Sequence, residues 1–230
     1  MTKLCRMAMV LVLSVTGMAS SAMAQENAHL DGVLKQMDAA SVKFHSAEAN
    51  FKWDFYERVT KSTSSQTGTI YFLRQKNGTE MGAKMVTPGA KLISFKDGVL
   101  QVFDPAANTL IRITAHGNQT QYESFLTLGF GGSGSDLLKS WTVTDQGMET
   151  VNGVSCAKLD LVSKDPDVKN MFTHVTIWVD LTRGISLKQV FYTPSDDVRT
   201  ALYTGIKYNV KVDTKSYAIK TNSKTSVTNR

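Results

Sequence analysis

From residue 46 almost to the C-terminus, apolar and polar positions alternate with a period of two, in short runs closed by tight turns. The stretch between Gly68 and Pro105 is typical. It reads G-T-I-Y-F-L-R, an Asn77-Gly78 turn, M-G-A-K-M-V-T-P, then K-L-I-S-F-K-D-G-V-L-Q-V-F-D-P. Such alternation predicts antiparallel strands with one apolar face. Strands are expected over 46–60, 67–75, 80–87, 90–96, 99–104, 108–114, 141–149, 153–162, 173–180, 185–193, 200–212 and 216–220. Asp97-Gly98, Asn152-Gly153 and Arg183-Gly184 join Asn77-Gly78 as hairpin turns. At the start the period differs: Leu30, Val33, Leu34 and Met37 follow i, i+3, i+4, i+7, which predicts an amphipathic helix over 28–42. Two stretches break the strand pattern. Residues 120–140 hold an apolar helical segment and a glycine cluster, and residues 166–172 suit one helical turn.

So many antiparallel strands should curl toward a barrel. The two helical segments can then cover its open side, leaving a cavity with apolar strand walls and a helical roof. One face of the strands presents Ile70, Phe72, Met81 and Met85, with a single cation, Arg74, in the same series. Such a surface suits holding an apolar ligand better than transforming a polar one. The expected cavity residues are these four with Leu34 and Met37 of the first helix and Phe125 and Leu128 of the roof. Gly129, Gly131, Gly132 and Gly134 are expected to act as a hinge, because glycine adopts unusual backbone conformations and would let residues 122–128 swing.

The N-terminus changes where such a surface would work. Lys3 and Arg6 precede an apolar run from Met7 to Val15, and Ala22-Met23-Ala24 supplies a small-x-small cleavage pattern. The run is too short for a mature membrane span. A cleaved signal peptide over 1–24 and one exported domain over 25–230 are therefore expected. Loss of Lys3 and Arg6 lowers the formal charge from +6 to +4. Export removes nucleic acid from the partners a basic chain could serve. Lys207, Lys211, Lys215, Lys220, Lys224 and Arg230 crowd the C-terminal region, where a solvated strand face and a lipid-facing patch both fit. Cys156 would be the sole cysteine after cleavage, so no internal disulfide is expected. Within V-S-C-A-K-L-D-L it reads as a small packed residue. His29, His45, His116 and His174 show no metal-ligand spacing, and neither metal nor cofactor is expected.

Catalytic templates fit poorly. Gly129, Gly131 and Gly134 satisfy G-x-G-x-x-G, but a dinucleotide fold needs that motif directly after a strand in a βαβ unit. Ser133 lacks the second glycine of a nucleophile elbow. The pairs Asp165/Asp167 and Asp196/Asp197 sit beside prolines in turns, where they cap and solubilise. No enzyme is visible in these residues.

In their order along the chain, several motifs resemble the periplasmic outer-membrane lipoprotein carriers, the LolA family of the lipoprotein-sorting group. They are S-V-K-F-H-S (41–46), G-T-I-Y-F-L-R, the K-D-G-V-L-Q-V-F-D-P hairpin, the 120–140 insertion, the hairpin at Asn152-Gly153, Ala201-Leu202-Tyr203 and the closing V-D-T-K-S-Y-A-I-K. The resemblance spans nearly all of residues 25–230. It implies a mainly β protein with α-helices: a half-open antiparallel β-barrel under a helical lid, carrying lipoprotein acyl chains across an aqueous compartment. Arg74 would take the place of the arginine that bonds the lid in the empty closed state, although a surface arginine at a strand end is the plainer reading. The implied partners are acyl chains or lipid, an inner-membrane lipoprotein-releasing transporter and an outer-membrane acceptor, with the carrier a monomer. Lipoprotein, free lipid and other acylated molecules all remain open as cargo. A lipid-sensing regulatory domain of the same fold, or an enzyme with an unrecognised site, remains the alternative.

Overall fold

The computed structural model describes residues 18–76, 78–114 and 126–229, with side chains from residue 28 onward. Helix α1 (Met18–Lys43) leads into β1 (Ser46–Glu57), β2 (Ser62–Gln75), β3 (Gly78–Thr87), β4 (Lys91–Lys96), β5 (Val99–Asp104) and β6 (Thr109–Thr114). After residues 126–133 come α2 (Gly134–Ser140), β7 (Trp141–Val151), β8 (Val154–Ser163), α3 (Pro166–Met171), β9 (His174–Asp180), β10 (Ile185–Tyr192) and β11 (Val198–Tyr208). A 3₁₀ turn (Thr214–Tyr217) and β12 (Ser226–Asn229) follow.

The twelve strands form one sheet in the order β12-β6-β5-β4-β3-β2-β1-β11-β10-β9-β8-β7. Every pairing is antiparallel except β12 with β6, which is parallel. The sheet does not close on itself, so the molecule is mainly β with α-helices, a half-open barrel. Hairpin chemistry matches the turn residues. Asp97 and Gly98 have φ of 50° and 77°, and Asn152 and Gly153 have 50° and 79°. Two consecutive positive φ values suit the right-handed twist of the flanking strands.

Helix α1 starts earlier than the 28–42 expected from periodicity. Residues 18–27 read M-A-S-S-A-M-A-Q-E-N, good helix formers without an apolar stripe, so propensity extends a helix that periodicity cannot see. The helix also runs through the cleavage point expected after Ala24. Its stripe of Val33, Leu34 and Met37 packs with Leu137 of α2 onto Leu159, Leu161, Val175 and Ile177 of β8 and β9. Asn209 joins the helix end to the sheet: its amide donates to the Lys43 carbonyl (2.7 Å) and accepts from the His45 N–H (2.7 Å).

The strand expected over 216–220 is not formed. Asp213 accepts from the Lys215 N–H (3.1 Å) and caps a 3₁₀ turn there. That turn drives Tyr217 against β3 at Gly82, where any Cβ would collide with its ring. Tyr217 also packs beside Tyr71 (5.2 Å between centroids) and donates to Glu80 Oε1 (3.2 Å). The final strand instead lies over Ser226–Asn229.

Candidate functional site

The centre of the sheet builds an apolar floor by register. Phe51 of β1 pairs with Tyr203 of β11, Trp53 with Ala201, and Phe55 with Arg199. On the far side of β11, Ala201 pairs with Gln189 and Arg199 with Phe191 of β10. Between this floor and the chain at residues 126–130 lies a cavity of about 200 Å³. Its walls are Trp53, Phe55, Ile70, Phe72, Met81, Leu126, Leu128, Phe172, Phe191, Ala201 and Tyr203, with Gln189, Arg199 and Thr200 as further polar contributions. The volume falls below the roughly 300–1,000 Å³ of ordinary ligand pockets.

The segment 126–134 crosses this face and is held at several points. Phe130 is 1% exposed and forms an antiparallel bridge with Ile185. Its ring stacks on Phe72 (3.9 Å, 9°) and meets Tyr203 edge-on (5.0 Å, 86°). The Gly129 carbonyl accepts from the Ser186 N–H (2.6 Å). Gln189 Nε2 donates to the Leu128 carbonyl (2.6 Å), and its Oε1 accepts from the Tyr203 hydroxyl (3.1 Å). Because a carbonyl can only accept, the amide orientation of Gln189 is fixed. Burial pushes the Tyr203 phenol well above its ordinary pKa. Arg74 donates from Nη2 to the Gly131 carbonyl and lies over the Phe44 ring, 5.6 Å from its centroid.

The four glycines differ in what they do. Gly129 and Gly131 both have φ of 76°, and a Cβ would strike Ser186 at the first and the Phe44 ring at the second. Gly134 touches the Leu34 backbone, where α2 meets α1. Gly132 alone of the four has open space around its Cβ position. Gly129, Gly131 and Gly134 are thus close-contact points, and Gly132 is not.

Of the residues expected to line a cavity, Ile70, Phe72, Met81 and Leu128 do so together. Leu34 is packed between α1 and the sheet, and Met85 lies in the core beside β4. Met37 borders a second space of about 560 Å³, along with Arg74, Lys76, Thr127, Leu128, Gly129, Gly131, Gly132, Ser133 and Asp136. Its walls are much more polar than those of the first. Leu128 lines both spaces, so residues 126–134 stand as a partition between them. Phe125 lies outside the described residues. Arg74 is on the expected face but at the exposed end of β2, so its charge keeps contact with water.

Three contributors escape the sequence pattern. Arg199 is a second cation on the inner face. The pattern over 200–212 starts the strand one residue too late to include it, whereas β11 begins at Val198. Phe130 sits among glycines with no period of its own, and Gln189 is a polar residue in the otherwise apolar alternate series Ile185, Leu187 and Phe191 of β10.

Elsewhere the chemistry is structural. Asp165 Oδ1 accepts from the Asp167 and Val168 N–H groups (2.8 and 3.2 Å) as the cap of α3. The Arg58 N–H and the Ser195 hydroxyl bond Asp197 at 2.9 and 2.8 Å and hold its carboxyl below the usual range. Cys156 is fully buried, and burial pushes its thiol up. Among the described residues no group of three His, Cys, Asp or Glu is placed to hold a metal. No described helix is long and apolar enough to cross a membrane.

No protein-family model matches the chain, and no curated protein matches it. Solved structures do. An uncharacterised conserved protein from Thermus thermophilus matches at 10% identity and a TM-score of 0.54, covering 87% of this chain and 98% of that one. MucB in its complex with MucA from Pseudomonas aeruginosa matches at 14% identity and a TM-score of 0.50. That match covers 84% of this chain but 61% of the MucB one, so the likeness spans part of the latter. A LolA superfamily protein from Nitrosomonas europaea matches at 14% identity and a TM-score of 0.41, covering 83% of this chain and 97% of that one. What the Thermus and MucB likenesses establish is the fold alone, a half-open sheet with helices laid across one face.

Proposed function

We propose that this protein is an exported, periplasmic carrier that takes the acyl chains of lipoproteins, or of a related lipid, into the space between its sheet and residues 126–134. The observation that carries the proposal is the apolar cavity partitioned by a segment of the chain itself. Phe130 occupies the place an acyl chain would take against Phe72 and Tyr203, and Arg74 and Gln189 hold the backbone on either side of it. Entry of cargo exchanges those contacts for new ones. Each methylene buried supplies about 0.8 kcal/mol, so a long chain can offset the loss of two hydrogen bonds and one aromatic stack. Those contacts subtract from the net affinity for cargo, which favours transfer onward. No covalent step is involved, and the protein is not an enzyme in this reading. Donor and acceptor would be a lipoprotein-releasing transporter and an outer-membrane acceptor.

Native mass spectrometry of the protein purified from a membrane-containing host tests the proposal. Bound acylated protein or lipid is expected, together with an N-terminus at Gln25. A protein that arrives empty and takes up neither lipid nor lipoprotein on addition would overturn it.

A second reading rests on the MucA/MucB likeness: a regulatory domain of this fold that binds a protein partner and responds to lipid. Capture by crosslinking in the native cell separates the two. A membrane-anchored regulator as the main product would favour the sensor, and lipoproteins of varied sequence would favour the carrier.

A further inference from the structure

The inner face carries two arginines, at opposite ends of the same floor. Arg74 closes one end: its backbone N–H bonds His45 just before β1, and its guanidinium bonds the Gly131 carbonyl. Arg199 stands at the other end, opposite Phe55 near the close of β1 and opposite Phe191 of β10. It follows the period-two series of Tyr203 and Ala201 and lines the apolar cavity with them. Its guanidinium lies 5.4 Å from the Phe55 centroid and 5.7 Å from that of Phe172.

What Arg199 lacks is equally informative. Among the described residues its guanidinium has neither an ion pair nor a hydrogen bond. Asp197, the nearest acid along the strand, is taken up by the Arg58 N–H and the Ser195 hydroxyl. Asp196 pairs instead with Arg58 (3.4 Å). Aromatic faces hold a guanidinium in place without consuming its N–H groups, which lie in the plane of the fork. The side chain is exposed, so water reaches those donors. The result is an oriented cation that feels the Asp197 charge through space but bonds no acid, at the mouth of an apolar cavity, the arrangement that receives an anion bearing a hydrocarbon tail.

We infer that Arg199, cradled by Phe55 and Phe172, is the head-group site for an anionic amphiphile whose chain lies in the cavity. The inference rests on the acyl-carrier reading and narrows it. The preferred cargo carries a carboxylate or phosphate close to its chain, rather than a chain held solely through neutral ester or amide links. Arg74 and Arg199 then divide the work. One bonds the protein's own backbone in the empty form, and the other bonds the ligand in the filled one.

The test is calorimetric titration of the purified protein with three ligands of equal chain length: hexadecanoic acid, its methyl ester and a hexadecanoyl lysophosphatidic acid. The unmodified protein is expected to bind one or both anions about tenfold more tightly than the ester, the factor a single charge-assisted bond supplies at a wet site. Preference for the carboxylate or for the phosphate identifies which acid the site is built for. Arg199→Gln should erase that preference, bringing the anions to within about twofold of the ester, and Arg199→Lys should retain part of it. Binding of all three alike by the unmodified protein, or a preference that survives Arg199→Gln, would overturn the head-group site while leaving the carrier intact. Failure to bind any of the three would overturn both.

Discussion

Arg74 and Gly131 form the smallest unit on which the behaviour of the site depends. The bond between them is charge-assisted but open to water, so its net worth is about 1 kcal/mol rather than the several that a buried one would give. Arg74→Leu should therefore lower stability slightly and speed uptake of a fluorescent acyl probe roughly fivefold. Stopped-flow mixing reads that rate, and an unchanged rate would remove Arg74 from the gating of the cavity. Gly131 is the stricter position. Its φ of 76° and the Phe44 ring beside it leave no room for a Cβ. Gly131→Ala should cost about 2 kcal/mol or more, seen as a melting temperature lower by roughly 4–8 °C. Gly132→Ala, with free space around it, should fall within about 0.5 kcal/mol of the unmodified protein.

At the scale of elements, the segment 126–134 lays Phe130 against Phe72 and Tyr203, where the carrier proposal puts cargo. Phe130→Ala should destabilise the empty protein by about 3–5 kcal/mol, since it removes a buried ring with two aromatic partners. The same substitution enlarges the cavity, so chemical denaturation with and without an acyl ligand should show a larger ligand-induced gain in the variant. A gain no larger than in the unmodified protein would mean that the ring does not stand where cargo sits. Most strands were legible from alternation, because the two faces differ in exposure along strands such as β1 and β8, although β9 is buried on both. Three cavity residues, Ile70, Phe72 and Met81, followed from that rule alone. Arg199 did not, because a cation at a strand end looks the same whether it faces solvent or a pocket. Phe130 and Gln189 did not either. Their roles come from contacts across 58 and 61 positions of chain, between Phe72 and Phe130 and between Leu128 and Gln189, which no local period encodes. Alternation also misled at 216–220, where Tyr217 finds a socket over Gly82 rather than a neighbouring strand.

At the scale of the whole molecule, two buried phenols tie stability to alkaline pH. Burial raises the Tyr203 pKa. It also raises that of Tyr217, to which the Glu80 carboxylate adds. A pKa raised in the folded state means that the neutral form is the one the fold holds. The contribution is complete below about pH 10, the unfolded value, and is lost as pH rises through the folded one. Urea midpoints should hold level with respect to these groups up to about pH 10 and fall above it, and a Tyr203→Phe, Tyr217→Phe double variant should flatten that fall. The edges of the sheet matter on the same scale. One outer strand, β7, is broken by a register shift between Asp145 and Met148, an irregularity that discourages another strand from adding there. The other edge is finished by β12, whose four residues run parallel to β6 with every side chain exposed. Backbone pairing is what holds it, and its partner strand lies more than 100 positions earlier in the chain. During synthesis β6 lacks this partner until residues 226–229 arrive. A chain ending at Thr225 should fold to the same core yet form concentration-dependent oligomers through that edge, as light scattering would register. The strand β12 is thus a protective selvedge for the sheet, guarding it against self-association.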